Sequence, residues 1–128
     1  MHREYFEDTQ VGDRIVTPGR TVTETDVVNF AGFTGDWNPI HVDEEFARRL
    51  PAGRRIAHGL LALVVGVNLI GRARWTSFWP RSVQTIAGID RVRFVAPVFI
   101  GDTLHTEGGG PRNAGHVAGS RTDYIQPQ

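Results

Sequence analysis

Gly59-Leu60-Leu61-Ala62-Leu63-Val64-Val65-Gly66-Val67-Asn68-Leu69-Ile70-Gly71-Arg72 is the stretch that decides the fold. Its apolar residues fall nearly all round a helical wheel. A helix with so little polar surface is expected to be buried on most sides. Residues 59–72 therefore form the longest helix of the chain, in a central place. The full apolar run from Ile56 to Ile70 carries His58 and Asn68. At ~15 residues it falls short of the ~20 a membrane-spanning helix needs. The start of the chain, Met1-His2-Arg3-Glu4-Tyr5-Phe6-Glu7-Asp8, is mixed and charged, unlike a secretory leader. The expectation is a soluble, cytoplasmic protein without a membrane partner.

Upstream, Thr23-Glu24-Thr25-Asp26 has capping-box-like spacing. It predicts a short helix over about 24–34, carrying Val27, Val28, Phe30, Ala31 and Phe33 and ended by Gly35. Arg14 to Val22 alternates loosely and reads as a strand broken near Pro18-Gly19. Asp36-Trp37-Asn38-Pro39-Ile40-His41 reads as non-regular, because Pro39 is barred from a helix interior and pushes Asn38 toward an extended conformation. Asp43 can cap a second short helix through Arg48, acidic in its first turn and basic in its last.

Downstream, 83–89 and 91–95 alternate as strands do, and 99–104 holds a turn and another strand start. From Thr106 onward the large apolar residues are only Val117, Tyr124 and Ile125, and Gly108-Gly109-Gly110-Pro111 is poor material for a strand interior. The tail 107–128 is therefore expected to be weakly structured. The sum is one α+β domain over 1–128, an antiparallel sheet wrapped around one long central helix.

At 128 residues the chain is the size of one domain, and with 40% apolar residues it can bury a real core. It has no cysteine, which excludes a disulfide scaffold, a thiolate zinc site and a Cys nucleophile. Fourteen basic residues balance fourteen acidic ones. A general nucleic-acid binder is usually basic, so no nucleic-acid partner is expected. Every basic residue is Arg, suited to phosphate or carboxylate. Codon bias in a GC-rich genome gives the same pattern.

Two segments carry candidate chemistry. Asp36 and His41 stand five apart across a proline bend, which can bring both side chains to one point. A carboxylate beside an imidazole is an acid–base pair near neutral pH. Asn38 can hold the bend or a substrate amide. The structural alternative is that Asp36 closes an Asx-turn. Next, Ala57-His58-Gly59 opens the apolar helix. Free N–H groups at a helix start attract an anion or a developing oxyanion, and Gly59 has no side chain to obstruct one. Gly59 can equally serve tight packing, and His58 can cap or pack. Arg48, Arg49, Arg54 and Arg55 flank these segments and can meet phosphates, or simply lie on a solvated surface. Trp75, Phe78, Trp79 and Pro80 form an aromatic cluster suited to an acyl pocket, a dimer contact or ordinary core. Neither a metal nor a cofactor is implied.

The string Phe33-Thr34-Gly35-Asp36-Trp37-Asn38-Pro39-Ile40-His41, then Phe46-Ala47, then Gly53 to Gly59, and finally Val92 to Leu104 resembles the MaoC-like (R)-specific enoyl-CoA hydratase and dehydratase family. The resemblance covers roughly residues 5–106. It implies a hot-dog fold, a curled antiparallel sheet around one helix, usually paired as a homodimer. It implies an Asp36/His41 pair that activates water for addition to a trans-2-enoyl-CoA or acyl-carrier thioester. Gly59 then donates its N–H to the thioester oxygen, and Asn38, His58, Arg54 and Arg55 become candidates for substrate binding. Gly108 to Gly115 stands where the family continues with two long apolar strands. The other functions open on the same fold are a non-catalytic or heteromeric acyl-thioester-binding subunit and, less well matched to this motif, a thioesterase.

Overall fold

In chain order the structure, a computed structural model, has strands β1 (Arg14–Val16) and β2 (Arg20–Thr21) and helices α1 (Glu24–Thr34), α2 (Pro39–Val42), α3 (Glu44–Ala47) and α4 (Gly59–Arg72). Strands β3 (Thr103–Leu104) and β4 (Glu107–Gly109) follow. The described residues are 10–72 and 88–109, together with Tyr5, Asp8 and Thr85. Most of the expected strand at 83–89, the aromatic cluster at 75–80 and residues 110–128 lie outside them.

Helix α1 begins and ends where its sequence signals stand. Thr23 accepts from the Asp26 N–H, and the Asp26 carboxylate accepts from the Thr23 N–H in return, a complete capping box. Gly35 closes the helix in the left-handed region (φ 77°), its N–H donating to the Ala31 carbonyl at 2.8 Å. Asp43 caps α3 by accepting from the Phe46 N–H. The segment expected to be irregular is partly helical. Asn38 is an N-cap, accepting from the Ile40 N–H, and Pro39 opens α2 at its first position. A proline is excluded from helix interiors but suits the first turn, whose N–H has no helical acceptor anyway.

The strands pair antiparallel as β1 with β4 and β2 with β3, and Ile56 forms an isolated bridge with Phe99. A closed curled sheet is not shown among the described residues. The first residues of the expected weak tail, Glu107–Gly109, are the strand β4. Gly108 sits buried directly opposite Ile15, so the missing side chain leaves room for the isoleucine while the backbone ladder still forms. Arg14 and Glu107 add an ion pair across the same ladder. By contrast, Arg91–Val95 alternates in sequence but is no strand here, and Phe94 and Val95 are exposed. Alternation supplies two faces and no hydrogen-bond partner, and a strand needs both.

The core lies between α1, α4 and the segments that cross them. Val22, Val27, Ala57, Leu61, Val65 and Leu69 form one buried cluster, with Phe30, Val98, Ile100 and Leu104 packed on it. Fully burying such side chains stabilises by roughly 1.5–3 kcal/mol each. Thr106 is buried too. Its hydroxyl donates to the Gly66 carbonyl of α4 at 2.7 Å and its N–H donates to Thr17 Oγ1 at 2.9 Å, so the two polar groups are satisfied. Helix α4 buries one broad face rather than most of its circumference. Leu60, Val64 and Asn68, spaced four apart, form an exposed stripe.

Candidate active site

Three consecutive residues, Ile56, Ala57 and His58, organise the site. The Ala57 N–H is tied to the Val98 carbonyl at 2.7 Å. The Ile56 N–H donates to the Ile40 carbonyl at 3.2 Å, which fixes α2 alongside. On the same residue, the Ile56 carbonyl accepts from His41 Nδ1 at 2.7 Å. A carbonyl can only accept, so this bond puts the proton on Nδ1, and the neutral ring then carries a bare lone pair on Nε2. That nitrogen stands 3.9 Å from Asp36 Oδ2. The His41 side chain is 11% exposed and that of Asp36 50%, so the pair is reached from the Asp36 side.

His58 is pinned by the same logic. Its Nε2 lies 2.9 Å from the Asp36 backbone carbonyl and must therefore be the protonated nitrogen. Its ring, 2% exposed, stacks on His41 with centroids 3.9 Å apart and tilts against Phe30 at 4.9 Å. Its Nδ1 is buried and, among the described residues, has no hydrogen-bond partner. A buried acceptor left unpaired costs about 1–3 kcal/mol, a strain tolerated mainly at functional sites.

The two oxygens of Asp36 have different neighbours. Oδ1 accepts from the Asn38 N–H at 3.3 Å, an Asx-turn, while Oδ2 faces His41. Asn38 caps α2 with its Oδ1 and keeps its amide N–H groups at the exposed surface. Gly59 begins α4, and among the described residues no acceptor takes its N–H. A Cβ built on Gly59 would lie 3.0 Å from the Phe94 ring, so this aromatic ring packs against the side of Gly59 where a side chain would stand.

The two arginines part company. The Arg55 guanidinium gives two parallel bonds to the Glu24 carboxylate (2.8 and 2.7 Å) and one from Nε to Glu44 (2.7 Å). These bonds hold the Glu24 carboxyl below its ordinary range and raise the guanidinium further above its own. Arg55 thereby ties α1 to α3 beside Ile56. Arg54 lies over the Phe99 ring, 3.8 Å from its centroid, and among the described residues no carboxylate pairs with it.

Donor atoms of Asp36, His41 and His58 all lie within 4.8 Å of one another. Bonds of ~2.1 Å in a tetrahedral site imply donor–donor edges of about 3.4 Å. The 3.9 Å separation of Asp36 and His41 is wider, and stacked rings do not aim two in-plane lone pairs at one point. The set has the shape of an acid–base cluster rather than a metal cage.

The structure thus brings a carboxylate and an imidazole from a proline-bent loop together beside His58, the residue that precedes the glycine at the start of α4. Residues 7–113 match the family model described as MaoC like domain. The chain belongs to the MaoC-like domain family. It is 40% identical over 108 residues to a 3-hydroxybutyryl-CoA dehydratase of Methylorubrum extorquens, covering 80% of this chain and 61% of that one. It is 35% identical over 105 residues to an (R)-specific enoyl-CoA hydratase of Rhodospirillum rubrum, covering 78% and 65%. The chain thus spans less than two thirds of the length of these curated relatives. Among solved structures, the monoamine oxidase regulatory protein of Archaeoglobus fulgius superposes with a TM-score of 0.77 at 39% identity, covering 85% of this chain and 71% of that one.

These likenesses give the MaoC-like chain the α+β hot-dog fold. Among its described residues no helix is long and apolar enough to cross a membrane. The backbone carbonyl of Ile56 and the ring of Phe94 are the site components the sequence reading missed. Nothing in sequence marks a carbonyl as a clamp. Phe94 carried a signal only as one apolar member of an alternating run.

Proposed function

We propose that the chain adds water to the double bond of a trans-2-enoyl thioester, giving a 3-hydroxyacyl thioester of the R configuration, and runs the reverse dehydration. The observation that carries this reading is the bare Nε2 of His41, 3.9 Å from Asp36 Oδ2. A water ~2.8 Å from each, ordinary hydrogen-bond reach, fits between them. His41 Nε2 takes a proton from that water as its oxygen bonds to C3 of the enoyl group. Electron density moves onto the thioester oxygen, where the Gly59 N–H and the α4 dipole stabilise the enolate. The Asp36/His41 pair then returns a proton to C2, so one water is added and the protein ends as it began.

The relatives named as a hydratase and a dehydratase act on CoA thioesters, which supports coenzyme A as carrier, with an acyl carrier protein as the other candidate. Arg54, which has no carboxylate partner among the described residues, is an arginine available for the carrier's phosphates. The exposed apolar groups Leu60, Val64, Val92, Phe94 and Val95 support pairing with a second copy of the chain.

The test is loss of the conjugated enoyl absorbance of crotonyl-CoA. Asp36→Asn and His41→Ala should each lower kcat by ~10²–10⁴-fold, with no free thiol released. Thiol release would make the protein a thioesterase. A second reading, a non-catalytic thioester-binding subunit, draws on the solved relative named as a regulatory protein. Thioester binding without turnover would establish that reading instead.

A further inference from the structure

We infer that His58 is a positioning residue of this site, not a group that touches substrate: its Nε2–H holds the Asp36 backbone and its ring backs His41. The inference rests on the hydratase reading for its kinetic meaning and on geometry for the rest. A ring 2% exposed, in contact with both Phe30 and the stacked His41, has almost no surface left for a ligand. The bond it makes outranks the others that hold Asp36. The Asp36 N–H to Thr34 Oγ1 and the Asn38 N–H to Asp36 Oδ1 are both 3.3 Å long and lie at the exposed surface. The bond from His58 to the Asp36 carbonyl is 2.9 Å and part-buried, where water competes less.

The Ile56 carbonyl and the His58 ring also divide the work of fixing His41. The Ile56 carbonyl holds Nδ1 and so sets the rotation of the ring within its own plane. Out-of-plane tilt is left free by that single bond, and the stacked His58 ring at 3.9 Å blocks it on one face. His58 thus acts on both members of the pair. The partnerless Nδ1 fits this role, because the only tautomer that can donate to the Asp36 carbonyl leaves that nitrogen bare.

Two substitutions separate the donor from the ring. His58→Phe keeps an aromatic ring against His41 and removes the N–H. His58→Gln places an amide N–H within similar reach. In crotonyl-CoA hydration, His58→Phe should lose about 100-fold in kcat, the scale of a 1 Å misplacement, with KM unchanged. His58→Gln should recover most of that loss. A raised KM at unchanged kcat in both variants would overturn the inference, since it would place His58 on the substrate. Equal kcat in His58→Phe and His58→Gln would overturn it as well.

Two measurements stand apart from turnover, so an inactive wild-type protein defeats the hydratase reading alone. Nitrogen-15 NMR of the wild-type histidines should show His58 protonated at Nε2 and bare at Nδ1; the opposite tautomer refutes the bond. Amide hydrogen exchange across residues 36–38 should speed up in His58→Phe and not in His58→Gln. Unchanged exchange in both would mean the loop is held by something else.

Discussion

Replacing Arg55 by Met separates a tie from a phosphate ligand. The change keeps the aliphatic stem and deletes the guanidinium, and with it the two bonds to Glu24 and the one to Glu44. The magnitude follows from exposure. Arg55 is only 17% exposed, but the carboxylates it leaves behind are 54% and 45% exposed and rehydrate once released. No buried charge is orphaned, so the cost stays near the range for surface pairs, at its upper end for the two-point contact. About 1–2 kcal/mol results. For a domain of this size, each kcal/mol moves Tm by ~3–5 °C, so scanning calorimetry should find a drop of ~3–10 °C. Raising the salt concentration should narrow the gap, because half-exposed ions are screened. The KM for crotonyl-CoA should stay at the wild-type value, since the guanidinium is already engaged. Arg54→Ala should do the reverse, raising KM for crotonyl-CoA but not for crotonyl-pantetheine, which lacks the nucleotide phosphates. An Arg55→Met protein with unchanged Tm and a KM raised only for the CoA thioester would refute the reasoning, because Arg55 would then leave its carboxylates for the ligand.

Gly59→Ala should leave Tm within a few degrees, because the half-exposed Phe94 ring can yield the few tenths of an ångström that a 3.0 Å contact demands. Alanine keeps the N–H, but its methyl crowds the approach to it, so kcat in crotonyl-CoA hydration should nevertheless fall by about 10²-fold, the scale of a ~1 Å misplacement. Leu69→Ala removes a side chain 1% exposed from the cluster under α4 and should cost about 3–5 kcal/mol in urea unfolding. For pH, the Glu24 carboxyl is held by Arg55 below its ordinary 4.5. A depressed carboxyl contributes its stability above the unfolded value and loses it as pH falls through the folded one. The Tm advantage of wild type over Glu24→Gln should therefore be full above about pH 5 and shrink progressively below 4.5.

Local signals were readable where one residue decides one conformation. Thr23 and Asp26 can exchange their two bonds without help from elsewhere in the chain, so the start of α1 stood in the sequence, as did its end at the left-handed Gly35. The apolar run from Gly59 likewise defined α4. What failed were readings that need a distant partner. Arg91–Val95 has the alternation of a strand and no ladder, whereas Glu107–Gly109 has two glycines and does pair, because Arg14–Val16 lies against it. Pro39 misled for another reason: one residue's offset turns a helix breaker into a helix opener, and only Asn38 acting as cap settles the offset.

The site shows the same division at finer grain. Residue types at 36, 41 and 59 could be singled out because the proposed acid–base and oxyanion chemistry limits the choice of side chain. Their working state could not, because it is set by main-chain atoms. The Ile56 carbonyl selects the His41 tautomer and the Asp36 carbonyl selects that of His58. Any residue but proline at position 56 offers the same N–H and C=O, so the side chain there encodes neither bond. What encodes them is the path of 56–58, held by Val98, by the Phe99 bridge and, through Arg55, by α1 and α3. A change at Glu44, which touches neither Asp36 nor His41 in any bond described above, should therefore reach that pair through the path of 56–58. A substitution at the exposed Arg48, whose partner is the local Glu45, should not.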